Sequence, residues 1–429
     1  MGQIFHYILT AVVLVVMFSV LVAAHELGHY LFARVFNMGV EEFAIGFGKP
    51  QLVTWMKRVY RVPLRSGEVP EIHHDEVSRT DVEASIRPPE DVRVIDTPEG
   101  QVLEETTRFT IRPWPLGGFV RIKGMVPEED GSETTIAGGF YSKAPWQRLV
   151  VLLAGPAFSI LAGIAILVPL FMIEGTHKYL NVPRIGAVRS NGAAFKAGLK
   201  ENDLVKSIDG VPIPKFYTMN KIVRDSAGKT LTFVVDRGGK ELTLLVTPEL
   251  EENESNILDP DLNVTREVRK QAKLGTEIPY TTETISFAKA ASLAVSYPIE
   301  AVEGLAGVVR HPSTLKDQVG GPLTIAKVTS DTVKFGIPAI LQLAALLSIS
   351  VGVFNLLPVM PLDGGQMAMA FAEMFRGGKR LSIQVQGALS TIGLMCMIAL
   401  IGCVLFIDFG RLGHSSNTVK DPPPKKANK

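Results

Sequence analysis

Long apolar runs alternate with polar stretches along the chain, and that pattern sets its plan before any single residue is considered. Four runs, 7–30, 149–173, 338–357 and 387–406, are apolar over roughly the 20 residues that a helix needs to cross a bilayer. Three of them hold no charged residue, and the first holds none between 7 and 24. A fifth run, 284–310, is interrupted by Lys289, Pro298, Glu300 and Glu303, which predicts an amphipathic helix on the membrane surface instead of a fifth span. Between the first two spans, Phe43-Ala44-Ile45-Gly46-Phe47 and Phe119-Val120-Arg121-Ile122-Lys123 alternate as strands do, with Pro113-Trp114-Pro115-Leu116-Gly117-Gly118 as punctuation. They predict β-hairpins close to the membrane. Residues 66–107 are rich in Asp and Glu and poor in aromatic residues, so a solvated acidic insertion is expected there, with His73 and His74 exposed in it. Residues 184–248 are soluble in character, with strands expected at 185–188, 204–208, 231–236 and 241–246 and a helix at 217–225.

The predicted fold is a polytopic α-helical membrane protein with four transmembrane helices, membrane-associated β-hairpins and an inserted α+β domain. Its segments are the first span at 1–34, the hairpin region at 35–148 with the acidic insertion inside it, and the second span at 149–173. The inserted domain at 184–248 follows, then a polar linker at 249–283 and the surface helix at 284–310. The third span with its terminal loop occupies 338–363, the fourth span 387–407, and a polar tail 411–429.

Composition agrees with a membrane protein, since 46% of the 429 residues are hydrophobic, and a net charge of +1 gives no sign of a nucleic-acid partner. No Lys or Arg occurs in residues 1–24, so the first span lacks the basic flank of a cleaved signal peptide. Arg34, Lys49, Lys57, Arg58 and Arg61 follow that span, Lys143 and Arg148 precede or open the second, and Arg376, Lys379 and Arg380 separate the third and fourth. The positive-inside rule then places the loop between the first two spans in the cytoplasm and the inserted domain outside it. Cys396 and Cys403 lie seven residues apart in one helical run, roughly 10 Å along its axis, which suits packing and not a disulfide.

Ionisable groups inside a membrane span are costly, and their presence argues for function. In His25-Glu26-Leu27-Gly28-His29 the histidines stand at i and i+4, about 6 Å apart on one helix face. Two imidazoles so placed can bind one zinc ion, and the glutamate between them is a candidate general base toward water, Glu26 having no part in a purely structural zinc site. Zinc catalysis needs a third protein ligand, and the best candidate is Asp363, in Asn355-Leu356-Leu357-Pro358-Val359-Met360-Pro361-Leu362-Asp363-Gly364-Gly365. Pro358 and Pro361 break the helix there, and Gly364 and Gly365 permit close backbone approach. Two carboxylates, Glu26 and Asp363, would nearly neutralise one Zn2+ per chain.

The HExxH motif, the NxxP stretch leading to Leu362-Asp363-Gly364, the elements Gly46-Phe47-Gly48 and Pro115 to Val120, and Ala154-Gly155-Pro156 together resemble the site-2 protease family of M50-type intramembrane zinc metalloproteases. The run Ala197-Gly198-Leu199, Asp203-Leu204-Val205, Ile208-Asp209-Gly210 resembles a PDZ domain of the bacterial kind, which makes the chain similar to the bacterial regulator-of-sigma-E proteases. The resemblance implies His25, His29 and Asp363 as zinc ligands and Glu26 as general base. It implies Asn355 as a residue that contacts substrate or its developing oxyanion, with Pro358 and Gly186 completing the expected substrate-binding residues. It also implies a bacterial cytoplasmic membrane protease that cuts transmembrane segments of already trimmed proteins, such as anti-sigma factors, held as an added strand by the hairpins. Here one PDZ domain stands where the regulator-of-sigma-E proteases carry two, Ser159 stands where the family often has Asn, the second proline of the NxxPxP pattern is shifted to Pro361, and Gln366 replaces a common His. The competing reading is a non-catalytic membrane PDZ scaffold with a vestigial or structural metal site.

Overall fold

A computed structural model describes residues 2–49, 53–64, 68, 92–97, 100–126, 132–190, 192–250, 255–262, 264–269, 271–310 and 320–414. The described chain divides into two units, 2–170 with 287–414, and 171–286. The first unit opens with helix α1 (Gly2–Val35). Asn37 ends it, taking a left-handed φ of 52° while the Met38 N–H closes on the Ala33 carbonyl at 2.8 Å.

Five strands follow: β1 (Val40–Phe47), β2 (Val53–Pro63), β3 (Val92–Thr97), β4 (Gly100–Ile111) and β5 (Trp114–Ile122). They form one sheet in the order β2-β4-β1-β5, with β3 also on β4. The expected strands at 43–47 and 119–123 are present, but they are not separate hairpins. They pair with each other, Phe43 opposite Val120 and Ala44 opposite Phe119. Residues 100–107 also depart from expectation, because β4 runs through the middle of the sheet with Leu103, Glu105 and Thr107 buried. Glu105 is accommodated there because Lys123 stands 3.2 Å and Arg34 3.7 Å from its carboxylate, so acidity in this stretch reflects internal pairing and not solvation. His73 and His74 lie outside the described residues.

Helix α2 (Pro145–Glu174) starts with proline at a position where the missing N–H costs nothing. Tyr30, Ala33, Met38, Val40, Phe43, Phe109, Ile122, Phe140, Val151 and Leu152 form the apolar core that α1, the sheet and α2 share.

The second unit contains β6 (Thr176–Tyr179), α3 (Ala193–Lys196), β7 (Leu204–Ile208), β8 (Val211–Pro212), α4 (Phe216–Arg224), β9 (Leu231–Arg237) and β10 (Lys240–Val246). β11 (Glu249–Leu250), β12 (Ser255–Leu258), β13 (Val264–Arg269), β14 (Ala272–Lys273) and β15 (Tyr280–Glu283) complete it. An antiparallel sheet β10-β9-β7-β8 packs on α4 around Phe233, Val235, Val205, Ile208 and Met219. Asn202 takes a positive φ of 71°, a conformation asparagine tolerates better than most residues. The stretch 249–283 is not a linker. Ala272 and Leu274 are buried, Leu274 and Leu262 lie in the core of the unit, and β15 pairs with β6.

Five helices return the chain to the first unit: α5 (Phe287–Arg310), α6 (Pro322–Val333), α7 (Ile337–Asn355), α8 (Asp363–Phe375) and α9 (Ile383–His414). α5 buries Ala290 and Ala294 and packs against α7. α6 is an element the apolar pattern did not announce. Its N-terminal turn is capped by Asp408 of α9, which accepts from the N–H groups of Gly321 (3.1 Å), Leu323 (3.0 Å) and Thr324 (3.3 Å). Among the described residues, four helices are long and apolar enough to cross a membrane, α1, α2, α7 and α9, and they match the four expected spans. The third span ends at Asn355, and Asp363 begins a separate helix after the loop 356–362.

Candidate metal centre

α1 brings His25 and His29 to one face, and α2 crosses that face in near contact. A Cβ on Gly28 would stand 2.2 Å from the Ala154 carbonyl oxygen, and a Cβ on Gly155 would stand 2.2 Å from His29 Nε2. Glycine at both positions therefore lets the His29 ring lie directly on the α2 backbone. Asp363 arrives from the start of α8, behind a loop whose compactness depends on Gly364 and Gly365. A Cβ on Gly364 would meet the Leu357 and Leu356 carbonyls at 2.3 and 2.4 Å, and one on Gly365 the Met360 nitrogen at 2.6 Å.

The three side chains converge through single atoms. His25 Nε2 is 3.1 Å and His29 Nε2 3.4 Å from Asp363 Oδ2, and the two Nε2 atoms are 3.3 Å apart. Among the described residues this is the one group of three His, Cys, Asp or Glu side chains whose ligand atoms come together in this way. A tetrahedral ion with bonds of about 2.0–2.1 Å separates its ligand atoms by about 3.3 Å, so the triangle has the size that zinc requires. The donor set also fits, two imidazole nitrogens and a carboxylate oxygen, and three ligands leave a fourth position open.

The nitrogens that face away from the triangle are both engaged. His29 Nδ1 lies 2.9 Å from the Val151 carbonyl, which can only accept, so His29 carries its proton there and presents a lone pair at Nε2. His25 Nδ1 lies 2.9 Å from Ser159 Oγ. The Ser348 hydroxyl of α7 donates to the Ser159 carbonyl at 2.7 Å, tying the same turn of α2 to the third span. Glu26 lies beside the triangle, within electrostatic reach of both histidines and Asp363, with the Val120 backbone of β5 next to its carboxylate.

The structure thus brings His25, His29, Asp363 and Glu26 together. Asn355 is the last residue of α7, half-buried, and Pro358 is exposed in the loop that leads to Asp363. Gly186 belongs to the second unit, and the structure argues against it as a place for strand addition. The Glu277 N–H bonds the Ala187 carbonyl at 2.8 Å, the Arg189 N–H bonds the Gly275 carbonyl at 2.9 Å, and a Cβ on Gly186 would stand 2.3 Å from the Glu277 carbonyl oxygen. The chain's own residues 275–277 already occupy that edge. Ser159 and the Val151 carbonyl are contributions that residue type did not reveal, since a serine in an apolar helix ordinarily satisfies itself on its own backbone.

Comparison with known proteins matches the chain to peptidase family M50 over residues 13–69 and 100–400. It is 29% identical to the regulator of sigma-W protease RasP of Bacillus subtilis over 440 residues, covering 95% of this chain and 99% of that protein. A putative zinc metalloprotease of Fusobacterium nucleatum is 31% identical, with 85% of this chain and 89% of that protein covered. The probable protease eep of Enterococcus faecalis is 27% identical over 94% of this chain and 99% of its own length.

Proposed function

The chain belongs to peptidase family M50 and is a zinc metalloprotease with membrane helices, and from that premise we propose that it cuts peptide bonds inside the membrane, in transmembrane segments of proteins already trimmed outside it. The observation that carries the proposal is the meeting of His25, His29 and Asp363 beside Glu26 within the apolar helices, at a depth where such groups are costly unless they serve a reaction. The three would hold one zinc ion. Zinc, when bound, supplies a Lewis acid that polarises a carbonyl and makes water more acidic.

Glu26 then acts as general base, taking the proton of the attacking water and returning it to the leaving amine. Substrate has to be unwound before its peptide bond can be reached, because a helix engages every interior carbonyl. β5 supports this step. It is the end strand of the sheet order, its Val120 backbone lies next to Glu26, and an extended segment laid along it would bring a peptide bond to the site. Asn355, at the end of α7, is the proposed contact to the carbonyl under attack, with Pro358 lining the loop nearby.

The sigma-W regulator protease named among the relatives makes anti-sigma factors the substrate class to examine first. A bacterial cytoplasmic membrane is the proposed location, with the sheet on the cytoplasmic side. The strand and helix pattern at 184–248 supports a PDZ-like domain outside, where it would bind or exclude the substrate's outer part. A scaffold without catalysis is the weaker reading, since it leaves Glu26 without a role.

Glu26→Gln keeps the three proposed ligands and removes the base. The expected result is zinc content equal to the unaltered chain and no cleavage of a transmembrane reporter in proteoliposomes. Cleavage at the full rate by that variant would refute the assignment. Substrates retained by it in cells would identify the natural target.

A further inference from the structure

Both histidines of the proposed zinc site are oriented by α2. The Val151 carbonyl holds His29, Ser159 Oγ holds His25, and Gly155 makes room for the His29 ring. Asp363 comes from α8, whose first residues pack on their own loop 356–360. Among the described residues one ion pair joins α8 to α2. Arg148 Nη2 donates to Glu373 Oε2 at 2.6 Å, and both side chains are almost wholly buried, at 4% and 3% exposure.

Arg148 opens α2 one turn before Val151, and its spacing to Gly155 and Ser159, seven and eleven residues on, keeps it on the stripe that faces the histidines. Glu373 lies ten residues after Asp363, about 15 Å along α8. The far end of α8 is therefore pinned to the helix that orients the other two ligands. A brace surrounds the pair. The Arg148 guanidinium stands 5.0 Å from the Tyr141 ring centroid, Arg380 covers the same ring at 3.9 Å, and Arg380 pairs with the fully buried Glu133.

Stability alone is a poor reason for such a pair, since apolar residues of similar volume do as well or better at burying the same space. What an apolar contact lacks is direction. A helix held by packing can slide by fractions of an ångström, whereas a charge-assisted bond between two buried groups fixes its register.

We propose that Arg148 and Glu373 are positioning residues of the zinc site: their bond sets the register of α8 on α2 and so the reach of Asp363 toward the two nitrogens that α2 orients. This rests on the zinc reading above.

The test is zinc titration of the purified, metal-stripped chain against a chromogenic chelator, together with the visible spectrum of its cobalt(II) form. Two variants are compared, Glu373→Gln and the double change Arg148→Met with Glu373→Met, which leaves no unpaired charge and is expected to unfold no earlier than the unaltered chain. In both, zinc affinity should fall by about 10- to 100-fold, the range for lost outer partners of metal ligands. The cobalt bands should weaken and shift as Asp363 loses its place, and exchanging the two charges, Arg148→Glu with Glu373→Arg, should restore part of the affinity. A double variant with unaltered zinc affinity and cobalt spectrum overturns the proposal. A loss confined to Glu373→Gln reports only an unpaired arginine and overturns it equally. If the unaltered chain takes up no zinc, or if Asp363→Ala takes up zinc as tightly, the zinc reading itself fails, and the same titration shows it.

Discussion

An imidazole offers a metal only the nitrogen that its other hydrogen bond leaves unprotonated, so the atoms facing away from the triangle decide what the triangle can do. His29 has no freedom, because a carbonyl fixes its proton on Nδ1. His25 faces a hydroxyl, which can donate or accept, so Ser159 orients the ring without fixing its tautomer. Ser159→Ala should therefore weaken zinc binding by about tenfold, toward the low end for an outer partner. Chelator competition at constant pH measures it, and an unchanged affinity would show that the metal alone holds His25. The three residues that meet were legible because spacing betrays them, two histidines one turn apart and an aspartate after a proline-broken helix. Ser159 was not, since nothing in its type says that the residue 134 positions back in the chain is the one it meets.

At the scale of elements, β5 is the part whose placement matters most to the proposed reaction. In an antiparallel pair a residue's N–H and carbonyl point to the same side, and successive residues alternate. The Val120 backbone lies at Glu26, so Val120 and Gly118 turn their backbone groups away from β1 toward the α1 side, while Arg121 and Phe119 face β1. Ser19 of α1 holds the start of the strand through the Pro115 carbonyl at 3.0 Å, and Gly118 has no room for a side chain, a Cβ there standing 2.6 Å from the Ala44 carbonyl and 2.9 Å from Val22. Val120→Pro removes one edge donor at a place where an edge strand tolerates proline. The expected outcome is normal zinc content with reporter cleavage reduced by an order of magnitude or more, roughly the cost of one charge-assisted bond, while Val120→Ala cleaves nearly as well as the unaltered chain. Full activity of the proline variant would show that the Val120 N–H serves neither Glu26 nor the substrate. The alternation of 43–47 and 119–123 made these strands readable, but not their partnership. A register between residues some 75 positions apart is fixed by α1 and α2 closing over the sheet, and composition misread 100–107 because the cations that neutralise Glu105 come from residues 34 and 123.

For the molecule as a whole, the metal triangle sets the topology. His29 lies near the end of α1, Val151 near the start of α2 and Asp363 just past the end of α7, and all three meet. If α1 and α2 cross in opposite directions, α7 has to run parallel to α1 for its end to arrive at the same depth. The chain between α2 and α7 must then cross an even number of times. α6, with 12 residues, reaches only about 18 Å and cannot span. Among the described helices α5 would have no partner to restore the parity, so its proposed place is the membrane surface, as expected from its Lys289, Glu300 and Glu303. The proposed direction rests on charge, since basic residues gather after α1, at the start of α2 and after α8. With Cys396 and Cys403 changed to serine, a single cysteine at Arg58→Cys should resist a membrane-impermeant maleimide in intact cells and react once they are opened, whereas one at Lys206→Cys should react in intact cells through a permeabilised outer layer. Labelling of position 58 from outside would reverse the orientation and move the proposed site to the opposite face. Labelling of both positions from the same side would break the parity argument, and with it the assignment of α5 to the membrane surface.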